Sequence, residues 1–293
     1  MRLRLSALIF MLLMIQVPKA VLAQEIPKEY DTAIRKQLKA IAMATHVYVG
    51  KHKGKMPPAA VTNSDLPPNK RLSGFVLLLP YFGEKPDWMD DAAWNQARIS
   101  PEQATAAKQL YNSFNLKKAW DDPVNLKAAR TALPILTLDG VAPQTNEAGY
   151  HISHFAFVRG YGGREDGAFP MQGNIMIYDA KGETDWIADG TTETFAIGPI
   201  TTQLGPWTAA GSSTSRHLYH PSEGKSEASF SGRYKDACYF AKCDGSVHFI
   251  DLARSTPIGL RAIVTRSGRD GRAIPGNVRS YTSAEEWRRA TDK

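Results

Sequence analysis

Helix-type and strand-type patterns occupy different halves of this chain, and that segregation most constrains its fold. Up to about Pro134, apolar residues recur at helical spacing between helix-capping residues. Beyond it, short apolar runs are punctuated by Gly, Pro, Asn and Asp. Helices first and strands later imply an α+β fold, because a parallel α/β sheet needs the two in alternation. No internal repeat of useful period is present.

In the first half, Ile34, Leu38, Ile41, Thr45 and Tyr48 or Val49 predict an amphipathic helix from about Thr32 to Lys51, capped by Asp31 or Thr32. A Pro- and Asn-containing linker from Ala59 to Asn69 follows it. Phe75–Leu79 is an apolar run that periodicity leaves open between helix and strand. Ser100-Pro101-Glu102-Gln103 opens a second helix with a complete capping box. Asp122-Pro123 repeats that logic for a third, through about Ala132. Strands are expected over Ile135–Leu138, His154–Arg159, Asn174–Tyr178 and Thr194–Ile200. The clearest hairpin is Tyr239–Cys243, Asp244-Gly245, Ser246–Ile250, read with a two-residue turn that places Cys243 opposite Ser246 and Phe240 opposite Phe249. Thr256-Pro257 caps a short helix through Val264, and Ser283 with Glu286 opens a last one.

The N-terminus reads as a secretory signal. Arg2 and Arg4 precede a 13-residue run, Leu5–Val17, interrupted only by Ser6 and Gln16. Val21-Leu22-Ala23 then suits cleavage before Gln24. A spanning helix needs about 20 apolar residues, so the expectation is a cleaved leader over 1–23, with no stable membrane span afterwards and a periplasmic or extracellular product. Without Arg2, Arg4 and Lys19, Lys+Arg falls from 36 to 33 against 29 acidic residues, a net +4. Those basic residues are scattered, which is not a nucleic-acid footprint. At 43% hydrophobic, the chain has ample material for a core.

The two cysteines, Cys238 and Cys243, fall five apart on one expected strand, about 16 Å along it. A disulfide needs Cα atoms within about 7 Å. No bridge between them is expected.

Several segments, in order, resemble a planctomycete family of unknown function: pseudopilin-like exported proteins with an H-x9-DG motif near the C-terminus. Leu38–Tyr48 with Gly54–Ala59 is similar to the family's opening. Leu72–Glu84 resembles its LSWRVLLLPYLGE segment and Phe114–Asn125 its F-L-EPWDSP-N segment. Ala188–Thr194 is similar to its DGTSNT turn, Gly205–Thr208 to PWTKP, Phe240–Ile250 to LFADGSVRFI, and Leu260–Arg266 to the closing helix. The resemblance spans roughly Ala33 to Gly268. It implies a pilin-like fold over 24–268, an N-terminal amphipathic helix and further helices followed by an antiparallel β-sheet, and then a C-terminal tail with a short helix over 269–293. Two departures stand out. Tyr234 occupies the position of the motif's histidine, and a secretory leader replaces the prepilin-type N-terminus that supports filament assembly.

Constellations for chemistry are incomplete. His151 and His154, and His217 and His220, form two HxxH pairs without a cysteine pair or local carboxylate to complete a zinc set. Residues three apart on a strand also face opposite ways. Asp179, Gly182, Glu183 and Asp185 precede Asp189-Gly190 but lack the spacing of a calcium loop, and solvated turn carboxylates are preferred. Gly160-Tyr161-Gly162-Gly163 leads through Arg164-Glu165-Asp166-Gly167 into a further turn, not into the helix that phosphate cradling needs. The serines of Gly211–Ser215 have no activating partner in sequence. Trp186 and Trp207 are read as core in preference to a ligand platform.

No catalytic, cofactor-binding or metal-ligating residue is therefore assigned, and no cofactor is expected. The expectation is a non-catalytic exported structural or interaction domain, with other cell-envelope proteins as partners. The alternative is an extracytoplasmic protein that binds a small solute or sugar. A metal-dependent hydrolase built on the histidine pairs ranks third.

Overall fold

The computed structural model describes residues 28–138, 141–162, 192–225, 229–234, 236–264 and 278–291. The expected leader over 1–23 and the strand expected over Asn174–Tyr178 lie outside these residues. The fold is α+β. Five helices come first: α1 (Lys28–Lys51), α2 (Gly74–Leu78), α3 (Asp91–Ala97), α4 (Pro101–Asn112) and α5 (Leu126–Ala129). Strands β1 (Phe155–Tyr161), β2 (Phe195–Pro199), β3 (Ser215–Leu218), β4 (Ala237–Lys242) and β5 (Val247–Asp251) follow. The described chain closes with α6 (Pro257–Ala262), β6 (Arg279–Tyr281) and α7 (Ala284–Thr291).

α1 begins at Lys28, before the expected cap. Asp31 and Thr32 lie inside the helix, and the Asp31 carboxylate bonds the Tyr234 hydroxyl instead of a backbone N–H. The predicted stripe of Ile34, Leu38, Ile41, Thr45 and Tyr48 is buried. The Thr45 hydroxyl is satisfied by the Ile41 carbonyl one turn back, at 2.9 Å. Ala40, Ala42, Met43 and Ala44 are buried too, so the middle of α1 is enclosed all round and is not amphipathic. The cause is packing on two sides. The helix lies across β2, β4 and β5 on one side, and the α2 and α3 segments cover the other.

Among the described residues, six strands form one sheet in the order β3-β1-β2-β4-β5-β6. The sheet is mostly antiparallel, as expected; the exception is β3, which runs parallel to β1. After β2 the chain crosses the start of β1 through residues 200–214 and then runs along its far side. Both outer strands are short, four residues in β3 and three in β6.

Each face of the sheet is covered. Phe157, Ile197, Tyr239 and Phe249 pack under α1 and α2, where Phe75 stacks on Phe157 at 4.2 Å. Val158, Phe195, Phe240 and Ile250 pack against Leu260, Ile263 and Val264 of the α6 segment. Truncating a buried leucine such as Leu38 in a core of this kind costs about 2–5 kcal/mol. Cys238 belongs to the α6 face and Cys243 to the α1 face, as buried free thiols whose ionisation burial pushes well up.

One open reading is resolved and three local expectations are corrected. Phe75 lies in the short helix α2, and a tighter turn over Leu79–Tyr81 follows. Ile135 is not in a strand, because Pro134 opens a 3-10 turn through Leu136. The helix after Asp122-Pro123 is only Leu126–Ala129, since the Asp122 carboxylate accepts from the Val124 N–H and holds a turn. In the hairpin, Ala241 pairs with Val247, Phe240 with His248 and Tyr239 with Phe249. Lys242 donates to the Ser246 carbonyl at 2.8 Å, and Gly245 donates to the Lys242 carbonyl at 3.0 Å. The loop is thus three residues, Cys243-Asp244-Gly245, with only Gly245 left-handed at φ 86°. That one-residue slip puts Phe240 and Phe249 on opposite faces.

Candidate functional site

The histidine pairs serve as cross-links. His154 is fully buried; its Nδ1 accepts from the Leu138 N–H at 2.8 Å, which leaves Nε2 to donate to the Pro143 carbonyl at 3.2 Å. Burial pushes its pKa down, in keeping with a neutral ring. His220 accepts the Ser222 N–H on Nδ1 at 3.1 Å and donates from Nε2 to the Ser255 carbonyl at 2.9 Å. His217 lies on β3, where burial, with the Arg159 charge adding, pushes its pKa down to about 4. Its Nδ1 is buried without a hydrogen-bond partner. His151 is half-buried, outside these networks. Among the described residues, no group of three or more His, Cys, Asp or Glu side chains is placed to hold a metal ion. Asp179, Gly182, Glu183, Asp185, Asp189, Gly190 and Trp186 lie outside the described residues.

Around the Asp-Gly loop, Asp244 accepts from the Ser246 N–H at 2.8 Å and from the Ser246 hydroxyl at 2.7 Å. His248 bonds Ser246 through Nε2 at 3.2 Å and Ser280 of β6 through Nδ1 at 3.3 Å. Asp244 is thus absorbed in turn chemistry, as its sequence context implied. The link to Ser280 had no local signal, because it depends on the pairing of β5 with β6.

Tyr234 ties the start of α1 to α7. Its hydroxyl donates to Asp31 at 2.6 Å and accepts from Arg288 at 3.0 Å. Burial is the main cause that pushes both the Asp31 carboxyl and the Tyr234 phenol up. Beside it, the Trp287 indole donates to Asp251 at 2.7 Å and the Ala284 N–H to the Tyr239 hydroxyl at 2.9 Å. The arrangement anchors α7 and β6 onto the sheet.

An apolar groove of about 320 Å³ lies between α4 and residues 131–135. One wall is set by the capping box that sequence predicted. Ser100 accepts from the Gln103 N–H at 3.2 Å, and the Gln103 side chain accepts from the Ser100 N–H at 3.1 Å. That start directs Gln103, Ala106, Ala107 and Leu110 to one face of the helix. The opposite wall, Thr131 to Ile135, is pinned from outside. The indole of Trp207 donates to the Thr131 carbonyl at 3.0 Å, and Gln37 donates to the Pro134 carbonyl at 2.9 Å. Trp207 is itself fully buried, with Phe114 edge-on to it, so it is core.

Phe82, Ile99, Ala107 and Leu133 form the buried floor of the groove. Glu102 is its single charged lining residue, at the exposed rim. The Ser100 hydroxyl first, and the residue's own N–H second, hold that carboxyl below its ordinary range. The lining is mostly apolar, with Glu102, Gln103 and Thr131 as its polar side chains. Sequence reasoning missed it, and its one local trace is Ala106-Ala107, two small residues where larger ones would fill the gap. No protein family model, curated protein or solved structure matches this chain.

Proposed function

We propose that this chain is an exported, non-catalytic structural or interaction module of the pseudopilin-like kind, working in the periplasm or at the cell surface among other envelope proteins. The observation that carries the non-catalytic reading is the use of polar side chains. His154 and His220 spend both ring nitrogens on hydrogen bonds that hold loops together, and Asp244 spends its carboxylate on its own turn. The pilin-like reading draws on the long α1 laid across an antiparallel β2–β4–β5 sheet, and on the order of segments shared with the planctomycete family. Export rests on the leader pattern of residues 1–23. Among the described residues, no helix is long and apolar enough to cross a membrane.

Mass spectrometry of the protein recovered outside the cytoplasm tests export: the N-terminus should be Gln24, and an intact Met1 in the membrane fraction refutes cleavage. A panel of chromogenic ester, phosphate and glycoside substrates tests the rest. Turnover abolished by His220→Gln overturns the non-catalytic reading.

A second reading, extracytoplasmic binding of a small solute, is favoured by the groove beside α4. Its lining suits hydrocarbon better than sugar, because sugar hydroxyls against its apolar floor would lose water and gain few partners.

A further inference from the structure

The groove's shape and chemistry narrow what it takes. Its floor of Phe82, Ile99, Ala107 and Leu133 contains no side-chain donor or acceptor. Water against that floor has few polar partners; an enclosed apolar cavity of about 150 Å³ stays dry and takes up benzene, and this groove offers a similar floor beneath a mouth open to solvent. At about 320 Å³, this one has room for roughly two aromatic rings. A pocket of this volume lies at the lower end of small-molecule sites. The rim adds a charge rule. Glu102 sits in the first turn of α4, ionised, and meets any head group that remains at the mouth.

We propose that the groove between α4 and residues 131–135 binds a neutral aromatic or alkyl molecule of about two rings in size, and that Glu102 at its rim disfavours anionic amphiphiles. This ligand class deepens the solute-binding reading and depends on no enzymatic step. Measured on purified protein, it fails or stands independently of whether the chain is exported.

The test uses two environment-sensitive dyes of two fused rings each and different charge: neutral 5-dimethylaminonaphthalene-1-sulfonamide and anionic 5-dimethylaminonaphthalene-1-sulfonate. Fluorescence titration of the full chain should show saturable binding of the neutral dye, with Kd on the order of 10–100 μM for a ligand of this size. Ala106→Phe fills the mouth from an exposed helix position and should weaken that binding at least tenfold while leaving the thermal melt in place. Glu102→Gln should tighten the anionic dye about threefold, the effect of one charge some 7 Å away in water, and leave the neutral dye unchanged. Dye bound elsewhere on the chain survives Ala106→Phe. Neutral-dye binding that is unaltered in a folded Ala106→Phe, or absent from the wild type, overturns the site. An anionic dye indifferent to Glu102→Gln overturns the charge rule.

Discussion

Arg216 on β3 should be among the costliest side chains in this protein to remove. It is 1% exposed, and burial pushes its pKa down to about 10. Its guanidinium holds three loops by their carbonyls. Nε donates to Ser212 at 2.6 Å, Nη1 to Ser229 at 2.9 Å, and Nη2 to Gln203 at 3.1 Å and also to Thr202. Gln203 presents its carbonyl from a left-handed backbone at φ 47°, a conformation that needs support. Hydrogen bonds from a charged donor are worth about 1.5–3 kcal/mol each, so four give roughly 6–12 kcal/mol gross. Against this, Arg216→Met relieves the burial of a charge, about 3 kcal/mol on the scale of the pKa displacement. Water can also re-satisfy the carbonyls of Thr202, Gln203 and Ser212, whose residues are not buried, while Ser229 is. The net loss is about 3–5 kcal/mol. Arg216→Lys keeps the charge but cannot span the fork of acceptors, and should lose about half as much. Urea unfolding followed by circular dichroism, with the slope checked for constancy, measures both. A methionine variant within about 1 kcal/mol of wild type would show that the carbonyl cage contributes little.

Gly245→Val should destabilise by about 1–3 kcal/mol in the same assay, because a β-branched residue resists φ 86°. Asp244→Asn keeps the acceptor for Ser246 and should be nearly silent; a larger loss for Asp244→Asn that chelator erases would make Asp244 a metal ligand. Gly74→Ala places a Cβ 2.1 Å from the Pro58 carbonyl oxygen, so α2 must shift and stability should fall by about 2–4 kcal/mol; an unchanged melting temperature contradicts that close approach. His217 titrates lower in the folded chain than the ordinary 6.5, at about 4, so its stabilising contribution is complete above pH 6.5 and is lost as pH falls towards 4. His217→Phe should flatten the wild-type decline in that window, and a variant with an equally steep decline places the acid sensitivity elsewhere.

Local chemistry was the legible part of the sequence. Ser100 with Gln103, and Thr256 with Pro257, announced α4 and α6 because a cap is a bond between residues three apart. The hairpin was legible in kind but wrong by one position. Asp244-Gly245 fits a two-residue turn, and only the pairing of Ala241 with Val247 shows Cys243 to be part of the loop. Ile135 read as strand because an apolar residue after a proline looks the same whether a strand or a buried 3-10 turn receives it. α3 was missed although Asp90 caps it through the Ala93 N–H at 2.7 Å, since its short run has little apolar period. The groove left only Ala106-Ala107 as a local trace, too little to announce it. It exists because α4 and residues 131–135 meet in space around two alanines, a relation that no spacing along the chain encodes.

The two short outer strands have a consequence for how this protein meets others. An edge of three residues in β6, or four in β3, offers a visiting strand only about two backbone groups to pair with. Exposed Arg279 adds a charge to the β6 side. Growth of the sheet from molecule to molecule is therefore discouraged at both described ends. Among the described residues, the helical surfaces are left as the larger area for contact, where affinity and selectivity are set by side-chain shape and can be tuned one residue at a time.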